Sequence, residues 1–364
     1  WFLTGTGLHC LQNERHLEFP LPSVAPNGPP TVRALFPLKD GSLLLDSDDQ
    51  CFQLNPETGA FTAVLAKHTP GPIKPLGLLR DGRLCVQSLG ATTAEQGFRL
   101  EAYDGANFEP LAVSPPRTTP GSSFSRLFAA QNGDLWFSGD RGTAWYHDQK
   151  WRTFASTDGS APDSVIDFAE STDGRIWVAT QEKVWGYDGR NWTVVRTGLD
   201  RINALLAARD GSLWLGADSG LHRFFQGSWV ENGTEEGLPS GGVRELCEDS
   251  RGRIWAGTTH GLRLYHPEAD PDPPKTYIQM LGEKERSVPE GGTIALSFSG
   301  QDRWNYTPRQ RLLYSYRLSG RDWSPFQEER SVSFIDLPAG KQDLQVRAMD
   351  RNCNIDPIPA RIEF

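Results

Sequence analysis

A glycine-anchored motif recurs through the first three-quarters of this sequence and constrains its fold more than any other feature. Four copies combine a turn with a Leu or Ile and a Trp, at 132–137, 173–178, 210–215 and 251–256; two copies without the Trp lie at 40–45 and 81–86. Successive glycines of these copies are 41, 51, 41, 37 and 41 residues apart. A fixed period of about 40 residues indicates a repeat architecture whose units bury their faces only against one another.

Each repeat is expected to form four short strands. A first strand precedes the glycine, the second carries the Trp, the third ends near an aromatic residue such as Tyr187, and the fourth begins near another, such as Trp192. Asp-Gly and Asn-Gly suit the first hairpin, because glycine tolerates a positive φ and Asx residues accept local hydrogen bonds. Four strands per period predict propeller blades. The opening Trp1-Phe2 fits a seventh anchor whose glycine would lie upstream, so we expect the natural protein to extend in that direction.

The sequence therefore predicts an all-β fold, with a seven-bladed β-propeller over residues 1–268 and an immunoglobulin-like β-sandwich over 275–364. We expect the first blade to be incomplete and the last to lack an outer strand. A Pro-rich linker at 269–274 breaks the period. Beyond it, alternation places Ile294, Leu296 and Phe298 on one face of a strand, and 312–318 and 344–348 alternate likewise. Short strands without a helical pattern are typical of such a sandwich.

The repeated Trp residues have two interpretations. One makes them stacking platforms for sugars, and the other makes them packing residues between blades. Their place is the same in every repeat, whereas a binding residue would differ from blade to blade, so we expect them to form core. The five cysteines show no Cys-x-x-Cys spacing, which argues against a zinc site or a disulfide framework, and we expect most of them to be buried.

The repeats, written Asp-Gly-x-Leu/Ile-Trp-x-Gly/Ala-x-x-x-Gly-Leu, resemble the regulator-propeller repeats of two-component sensor proteins. The runs 314–323, 334–341 and 346–348 resemble the three-tyrosine domain that follows such propellers, although Phe334 stands where that family has Tyr and no aromatic residue stands at Asp343. The resemblance implies a sensing role, a periplasmic or otherwise extracytoplasmic location, and a carbohydrate fragment as stimulus. It also implies a sandwich that pairs in a homodimer and joins the propeller to a membrane helix and a histidine kinase, or to another output domain.

Composition excludes several other classes of function. The net charge is −9 and Lys and Arg are not clustered, so we expect no nucleic-acid partner. No apolar run reaches the roughly 18 residues that a membrane span needs, so any membrane attachment would come from regions outside this chain.

Known catalytic sequence motifs are also missing from the sequence. There is no Gly-x-Ser-x-Gly, no His-Glu-x-x-His and no phosphate-binding glycine loop, so we predict no catalytic residue, metal site or cofactor. His9 and His222 occupy the same slot in two repeats, which suggests a repeat position. Carboxylates such as Glu231 are plentiful, and a glycosidase needs only two at the right separation, so an enzyme remains an alternative.

A ligand is most easily accommodated where blades vary without disturbing their core, at the turns between second and third strands. Arg141, Gln181 and His260 are the first candidates for contacts to a polar ligand such as an oligosaccharide. Asp140, Glu182 and Asp218 lie in the same turns, and further turns lie at 48–49 and in the insertion at 88–97. The alternative interpretation is that these are solvated turn residues.

Taken with the resemblance, these features predict the extracytoplasmic ligand-sensing segment of a two-component protein, a hybrid histidine kinase, without enzymatic activity of its own. The first alternative is a propeller enzyme, a polysaccharide lyase or a glycosidase, with an appended sandwich. The second is a non-catalytic interaction scaffold.

Overall fold

The computed structural model describes residues 1–5, 7–12, 15–22, 30–47, 50–64, 73–89, 98–113, 124–139, 142–155, 159–281 and 288–364. Their regular structure is β-strand except for three 3-10 turns, at Thr234–Glu236, Pro267–Ala269 and Arg309–Arg311. The chain divides into two compact units, Trp1–Gly211 and Ser212–Phe364. Within the described ranges, no helix has the length and apolar character needed to cross a bilayer.

The described part of the first unit forms five antiparallel sheets and one further strand, β20 (Ile202–Ala207). The first sheet has three strands, β1 (Phe2–Leu3), β2 (Leu8–Gln12) and β3 (Arg15–Phe19). The other four have four strands each: β4 (Val32–Pro37), β5 (Leu43–Ser47), β6 (Cys51–Asn55) and β7 (Ala60–Ala63); β8 (Ile73–Leu78), β9 (Leu84–Leu89), β10 (Phe98–Tyr103) and β11 (Phe108–Pro110); β12 (Phe124–Ala129), β13 (Leu135–Gly139), β14 (Gly142–His147) and β15 (Lys150–Ala155); and β16 (Asp167–Glu170), β17 (Ile176–Ala179), β18 (Val184–Tyr187) and β19 (Trp192–Arg196).

The second unit continues the series and then changes architecture. Two antiparallel groups come first: β21 (Leu213–Ala217), β22 (Gly220–Phe225) and β23 (Ser228–Asn232), then β24 (Val243–Glu248), β25 (Ile254–Thr258) and β26 (Gly261–Leu264). Two three-stranded sheets follow, from β27 (Lys275–Met280), β28 (Ile294–Gln301) and β30 (Ser331–Phe334), and from β29 (Leu313–Leu318), β31 (Asp343–Met349) and β32 (Ala360–Glu363). We call the groups from β1 to β26 repeat sheets.

These elements confirm the predicted fold class: an all-β chain with four-stranded antiparallel sheets in series, as in propeller blades, and then a sandwich. The first repeat sheet has three strands and the last ends at β26, as expected for incomplete blades at both ends. The first strand of the sandwich begins at Lys275. The domain boundaries at 268 and 275 remain predictions.

The glycine anchors make the turn between the first two strands of each repeat sheet. Gly174 has a φ of 80°, a left-handed conformation that side chains disfavour, and its N–H donates to the Ser171 carbonyl at 2.8 Å. The same turn holds the repeat Trp, because Trp177 Nε1 donates to Ser171 Oγ at 2.9 Å. In the last repeat sheet Trp255 Nε1 donates to Asp249 Oδ2 at 3.0 Å. Although partial burial of Asp249 acts in the opposite direction, this bond and those from Arg253 hold the pKa of its carboxyl well below the usual range.

Three of the four repeat Trp residues are buried in the core, as predicted, and Trp255 is partly buried. Trp136, Trp177 and Trp214 are 2%, 7% and 1% exposed. The Trp136 ring stacks on Trp145 with centroids 5.2 Å apart and meets Trp192 of the next repeat sheet edge-on at 5.7 Å. Contacts of this kind fill the space between adjacent sheets.

The sandwich core lies between its two sheets. Ile294, Leu296 and Phe298 face inward from β28, as the alternation predicted, and they share one hydrophobic cluster with Leu344 and Val346 of β31. Two tyrosines of the predicted domain belong to this cluster: Tyr314 is buried, and Tyr316 packs against it and meets Phe334 edge-on. None of the five cysteines forms a disulfide, and Cys10, Cys51 and Cys85 are buried.

Candidate ligand-binding site

Four of the six predicted site residues are described, and all four lie in tip hairpins, the turns that join the second strand of a repeat sheet to the third. They are Gln181 and Glu182 between β17 and β18, Asp218 between β21 and β22, and His260 between β25 and β26. Asp140 and Arg141, the turn at 48–49 and residues 90–97 of the predicted insertion lie outside the described residues. The structure brings Gln181 and Glu182 together in the first unit, while Asp218 and His260 belong to the second.

Gln181 and Glu182 line a cavity of about 340 Å³, which we call the tip cavity. The backbone N–H and the hydroxyl of Thr180 both donate to the Lys183 carbonyl, at 2.9 Å and 3.3 Å. These bonds close the turn, so Gln181, Glu182 and Lys183 are exposed. The rest of the lining is Trp185 and, from the segment that leads into β16, Gly159, Ala161, Asp163 and Ser164. The volume suits a small ligand, because such pockets measure about 300–1,000 Å³.

Trp185 supplies the aromatic surface of the tip cavity. Its side chain is 5% exposed, and its buried Nε1 has no hydrogen-bond partner among the described residues. A buried donor without an acceptor costs about 1–3 kcal/mol, so a ligand oxygen within its reach would be favoured. Lys183 Nζ lies 5.8 Å from the centre of the indole ring. An aromatic surface, an unpaired donor and side chains of both charges together can hold a polar ligand.

The backbone around the tip cavity is strained at two positions. Ser164 and Arg201 have φ values of 46° and 43°. Conformations of this kind cost non-glycine residues about 1–3 kcal/mol and often occur at ligand sites. The residue after Arg201 is tied to the tip hairpin, since the Ile202 N–H donates to the Gln181 carbonyl at 2.8 Å. The segments that lead into β16 and β20 therefore both adjoin this hairpin.

The tip hairpins of the second unit are linked in a similar way. Asp218 forms an ion pair with Arg244, with Arg244 Nη1 at 3.0 Å from Asp218 Oδ1. In the neighbouring hairpin Thr259 shares a hydrogen bond of 2.7 Å with Ser240, and His260 is exposed beside it. Arg244 and Ser240 flank the start of β24. This group presents a cation, an anion and an imidazole at one surface.

Ser219, His222 and Glu231 follow one another in the order of a hydrolase triad, although His222 Nδ1 makes no hydrogen bond among the described residues. Ser219 Oγ lies 3.1 Å from His222 Nε2, and His222 Nδ1 lies 3.4 Å from Glu231 Oε1. The first repeat sheet contains a related chain, in which Thr4 Oγ1 lies 2.8 Å from His9 Nε2 and His9 Nδ1 lies 3.0 Å from His16 Nε2. Recurrence in the same slot of two repeat sheets indicates that the histidine ties a turn to its neighbouring strand.

Sequence reasoning found Gln181 and Glu182 but missed Lys183, Trp185 and Ser164. Lys183 could have been found from its place in the same turn. Trp185 lies in the third strand, away from the repeat Trp slot, and that difference was the available signal. The φ of Ser164 leaves no mark in the sequence. Across the described ranges, no group of three or more His, Cys, Asp or Glu side chains is arranged to hold a metal ion.

The fold defines a series of propeller-type repeat sheets, and the tip cavity of the first unit is a candidate recognition site. Residues 237–260 match the family model of the two-component regulator propeller. The chain therefore carries a regulator-propeller repeat, which confirms the resemblance of the repeats, whereas the resemblance to the three-tyrosine domain stays a prediction. The match covers the approach to β24, this strand, β25 and the following tip hairpin. A search of curated proteins with this chain finds no match.

Several solved structures share the fold. The domain assigned as the extracellular part of the hybrid two-component system BT3049 of B. thetaiotaomicron is 16% identical, with a TM-score of 0.56 over 99% of this chain and 52% of that one. The corresponding domain of BT4673 is 14% identical, with a TM-score of 0.54 over 100% of this chain and 54% of that one. Virginiamycin B lyase of Staphylococcus aureus is 15% identical, with a TM-score of 0.51 over 71% of this chain and 86% of the enzyme.

These likenesses concern the fold, since all three identities are low. This chain spans about half the length of the two B. thetaiotaomicron domains. The same fold class therefore includes extracellular domains of two-component systems and an enzyme, and the residues of the site must decide between such functions.

Proposed function

We propose that this chain is the extracytoplasmic ligand-sensing segment of a two-component signalling protein, a hybrid histidine kinase. A small polar ligand such as an oligosaccharide binds at the tip hairpins, and the sandwich relays the signal. The observation that carries the ligand-binding part is the tip cavity, which joins Gln181 and Glu182 to the unpaired indole N–H of Trp185. The regulator-propeller repeat at 237–260 supports the signalling part.

Location and partners are part of the same proposal. A periplasmic location is supported by the extracellular assignment of the B. thetaiotaomicron domains. Any membrane helix and the kinase would belong to regions outside this chain, and the sandwich would pair in a homodimer. Ile335 and Ile358, which are 75% and 80% exposed, give the sandwich apolar surface for such pairing.

The test is a thermal-shift screen of the purified chain against oligosaccharides, because a ligand that binds only the native state raises its stability. At a hundredfold excess over its Kd, a ligand adds about 2.7 kcal/mol to the free energy of unfolding. We expect at least one oligosaccharide to raise Tm, and we expect the double variant Gln181→Ala/Glu182→Ala to lose most of that shift.

The matched control is Arg190→Ala/Asn191→Ala, in the turn between β18 and β19 of the same repeat sheet. It removes two exposed polar side chains that do not line the tip cavity. An equal loss of the shift in both double variants would refute the tip cavity as the site, and no shift with any oligosaccharide would refute oligosaccharide sensing.

A second candidate function is a hydrolase that uses Ser219 as nucleophile, favoured by the order Ser219–His222–Glu231. The related chain at Thr4 and His9 weighs against it. A fluorophosphonate probe separates the two: an enzyme would be labelled and a Ser219→Ala variant would not, whereas a sensor would leave both unlabelled.

A further inference from the structure

A second cavity, of about 460 Å³, lies within the second unit between repeat sheets and sandwich, and we call it the junction cavity. Asn232 at the end of β23 and Tyr265 after β26 contribute from the repeat side, and Tyr306 and Arg351 contribute from the sandwich. Asp270 contributes from the segment between the two, and the polar lining also includes Glu235, Arg263, His266, Thr307 and Asn352. A ligand in this cavity would contact both architectures at once.

The buried polar atoms at the junction cavity include a donor and an acceptor that each lack a hydrogen-bond partner among the described residues. Asn232 is 8% exposed, and its Nδ2, a donor, has no hydrogen-bond partner among the described residues. Asp270 is 2% exposed; its Oδ1 accepts from the Asp272 N–H at 3.2 Å, but its Oδ2, an acceptor, has no partner there. Burial raises the pKa of Asp270, and the nearby Asp302 and Asp272 carboxylates add to this. Buried polar groups in native proteins are nearly always satisfied, so both atoms call for a partner.

The position of Asp270 is fixed by the surrounding chain. Its carbonyl oxygen accepts a hydrogen bond of 2.7 Å from Asn354 Nδ2, and the same amide donates to Asp350 Oδ2 at 2.8 Å. Across the cavity lining, the Arg351 N–H donates to Thr307 Oγ1 at 3.2 Å, which ties Arg351 to the loop that carries Tyr306. The walls are therefore held by hydrogen bonds that do not use Asn232 Nδ2 or Asp270 Oδ2.

The charge and apolar character of the lining narrow the ligand class. Two carboxylates, Glu235 and Asp270, are balanced by two guanidinium groups, Arg263 and Arg351, which favours a neutral ligand. A hydroxyl group both donates and accepts hydrogen bonds. Neighbouring hydroxyl groups of one ligand can therefore donate to Asp270 Oδ2 and accept from Asn232 Nδ2. Apolar side chains in the lining can pack against the C–H groups of a ligand: these are Leu221, Leu238, Leu264 and the ring of Tyr306, which is 63% exposed.

We propose that the junction cavity binds a neutral, polyhydroxylated ring of monosaccharide size, with Asp270 accepting from and Asn232 donating to its hydroxyl groups. Tyr306 at the exposed edge provides a surface for the ring. Because the lining spans repeat sheets and sandwich, occupancy stabilises their packing within the second unit. This site is separate from the tip cavity and does not depend on the proposed sensing of an oligosaccharide there.

The test measures binding of three probes to the whole chain, each alone: methyl α-D-glucopyranoside, methyl α-D-galactopyranoside and myo-inositol. Saturation-transfer NMR detects weak binding, and titration gives Kd. We expect at least one probe to bind. Ala269→Trp, which places an indole at an exposed lining position, should weaken it at least tenfold, and Tyr306→Ala about three- to tenfold.

Tyr277→Ala is the matched control, because Tyr277 is also exposed on the sandwich but does not line the cavity; it should leave Kd unchanged. Circular dichroism checks that each variant is folded. If Ala269→Trp fails to fold, Tyr306→Ala still tests the proposal, because it removes only an exposed side chain. Absence of binding by all three probes, or unchanged affinity in Tyr306→Ala and in folded Ala269→Trp, would overturn the proposal. Retained binding in Gln181→Ala/Glu182→Ala separates this site from the tip cavity.

Discussion

Replacing Asp134 should expose how much the turns of the repeat sheets depend on a buried carboxylate. Asp134 is 7% exposed and accepts hydrogen bonds from Trp145 Nε1 at 2.9 Å and Asn132 Nδ2 at 2.8 Å, and His147 Nδ1 lies 2.6 Å from it. A hydrogen bond to a charged group contributes about 1.5–3 kcal/mol. Of the three donors, only Trp145 is partly buried, whereas Asn132 and His147 are exposed. Exposed pairs contribute little to the free energy of unfolding, so the bond from Trp145 should dominate.

We therefore expect Asp134→Ala to lower the free energy of unfolding by about 2–3 kcal/mol. Urea titration followed by Trp fluorescence measures this change, and the slope of the transition shows whether the variant remains cooperative. The control is Asp148→Asn, since the Asp148 side chain is 84% exposed and pairs with the other nitrogen of His147 at 3.2 Å, and Asn tolerates the left-handed backbone of this position, where φ is 47°. It should change the free energy of unfolding by less than about 0.5 kcal/mol.

A second readout is independent of unfolding. The hydrogen bond to Asp134 is the main reason that the pKa of His147 lies above its usual value. In Asp134→Asn the charge is gone but the shape is kept, so an NMR titration should show the pKa of His147 falling. Equal destabilisation by Asp134→Ala and Asp148→Asn, together with an unchanged His147 pKa in Asp134→Asn, would contradict this role of Asp134.

Three further predictions concern stability. A Cβ at Gly77 would overlap a carbonyl oxygen of β12, so Gly77→Ala should cost about 1–3 kcal/mol in urea titration, whereas Gly5→Ala, with open space around it, should cost little. Leu344→Ala in the sandwich core should cost about 2–5 kcal/mol and Ile335→Ala under about 0.5 kcal/mol; equal costs would contradict the core assignment. Burial raises the pKa of Asp350 from 3.8 to about 6, so its stabilising contribution is present below the lower value and lost as pH rises through the higher one. Tm of Asp350→Asn should accordingly fall less than that of the natural chain between about pH 4 and pH 7, and parallel profiles would contradict this assignment.

The fold could be predicted because its determinants are local and repeated. Gly174 and Trp177 occur in one short motif, and the copies of that motif mark the period. The inward set Ile294, Leu296 and Phe298 follows from alternation along a single strand, which needs no knowledge of the partner sheet. Patterns of this kind survive many substitutions because they depend only on spacing and hydrophobicity.

The sites could be predicted only in part, because they depend on segments that are distant in the sequence. The turn position indicated Gln181, but the tip cavity also needs Ser164, whose positive φ is set by its surroundings. The junction cavity joins Asn232, Asp270 and Arg351, and no spacing rule relates them. Whether a buried amide or carboxylate finds a partner is decided by packing, so unpaired atoms become visible only in the structure.

We propose that this chain binds a ligand and leaves it chemically unchanged. The most direct measurement incubates the chain with the oligosaccharide that stabilises it most, isolates the complex, and determines by mass spectrometry what is recovered. We expect the intact oligosaccharide to be recovered in a fixed ratio to protein. Recovery of shortened, eliminated or otherwise altered products that depend on the chain would contradict it.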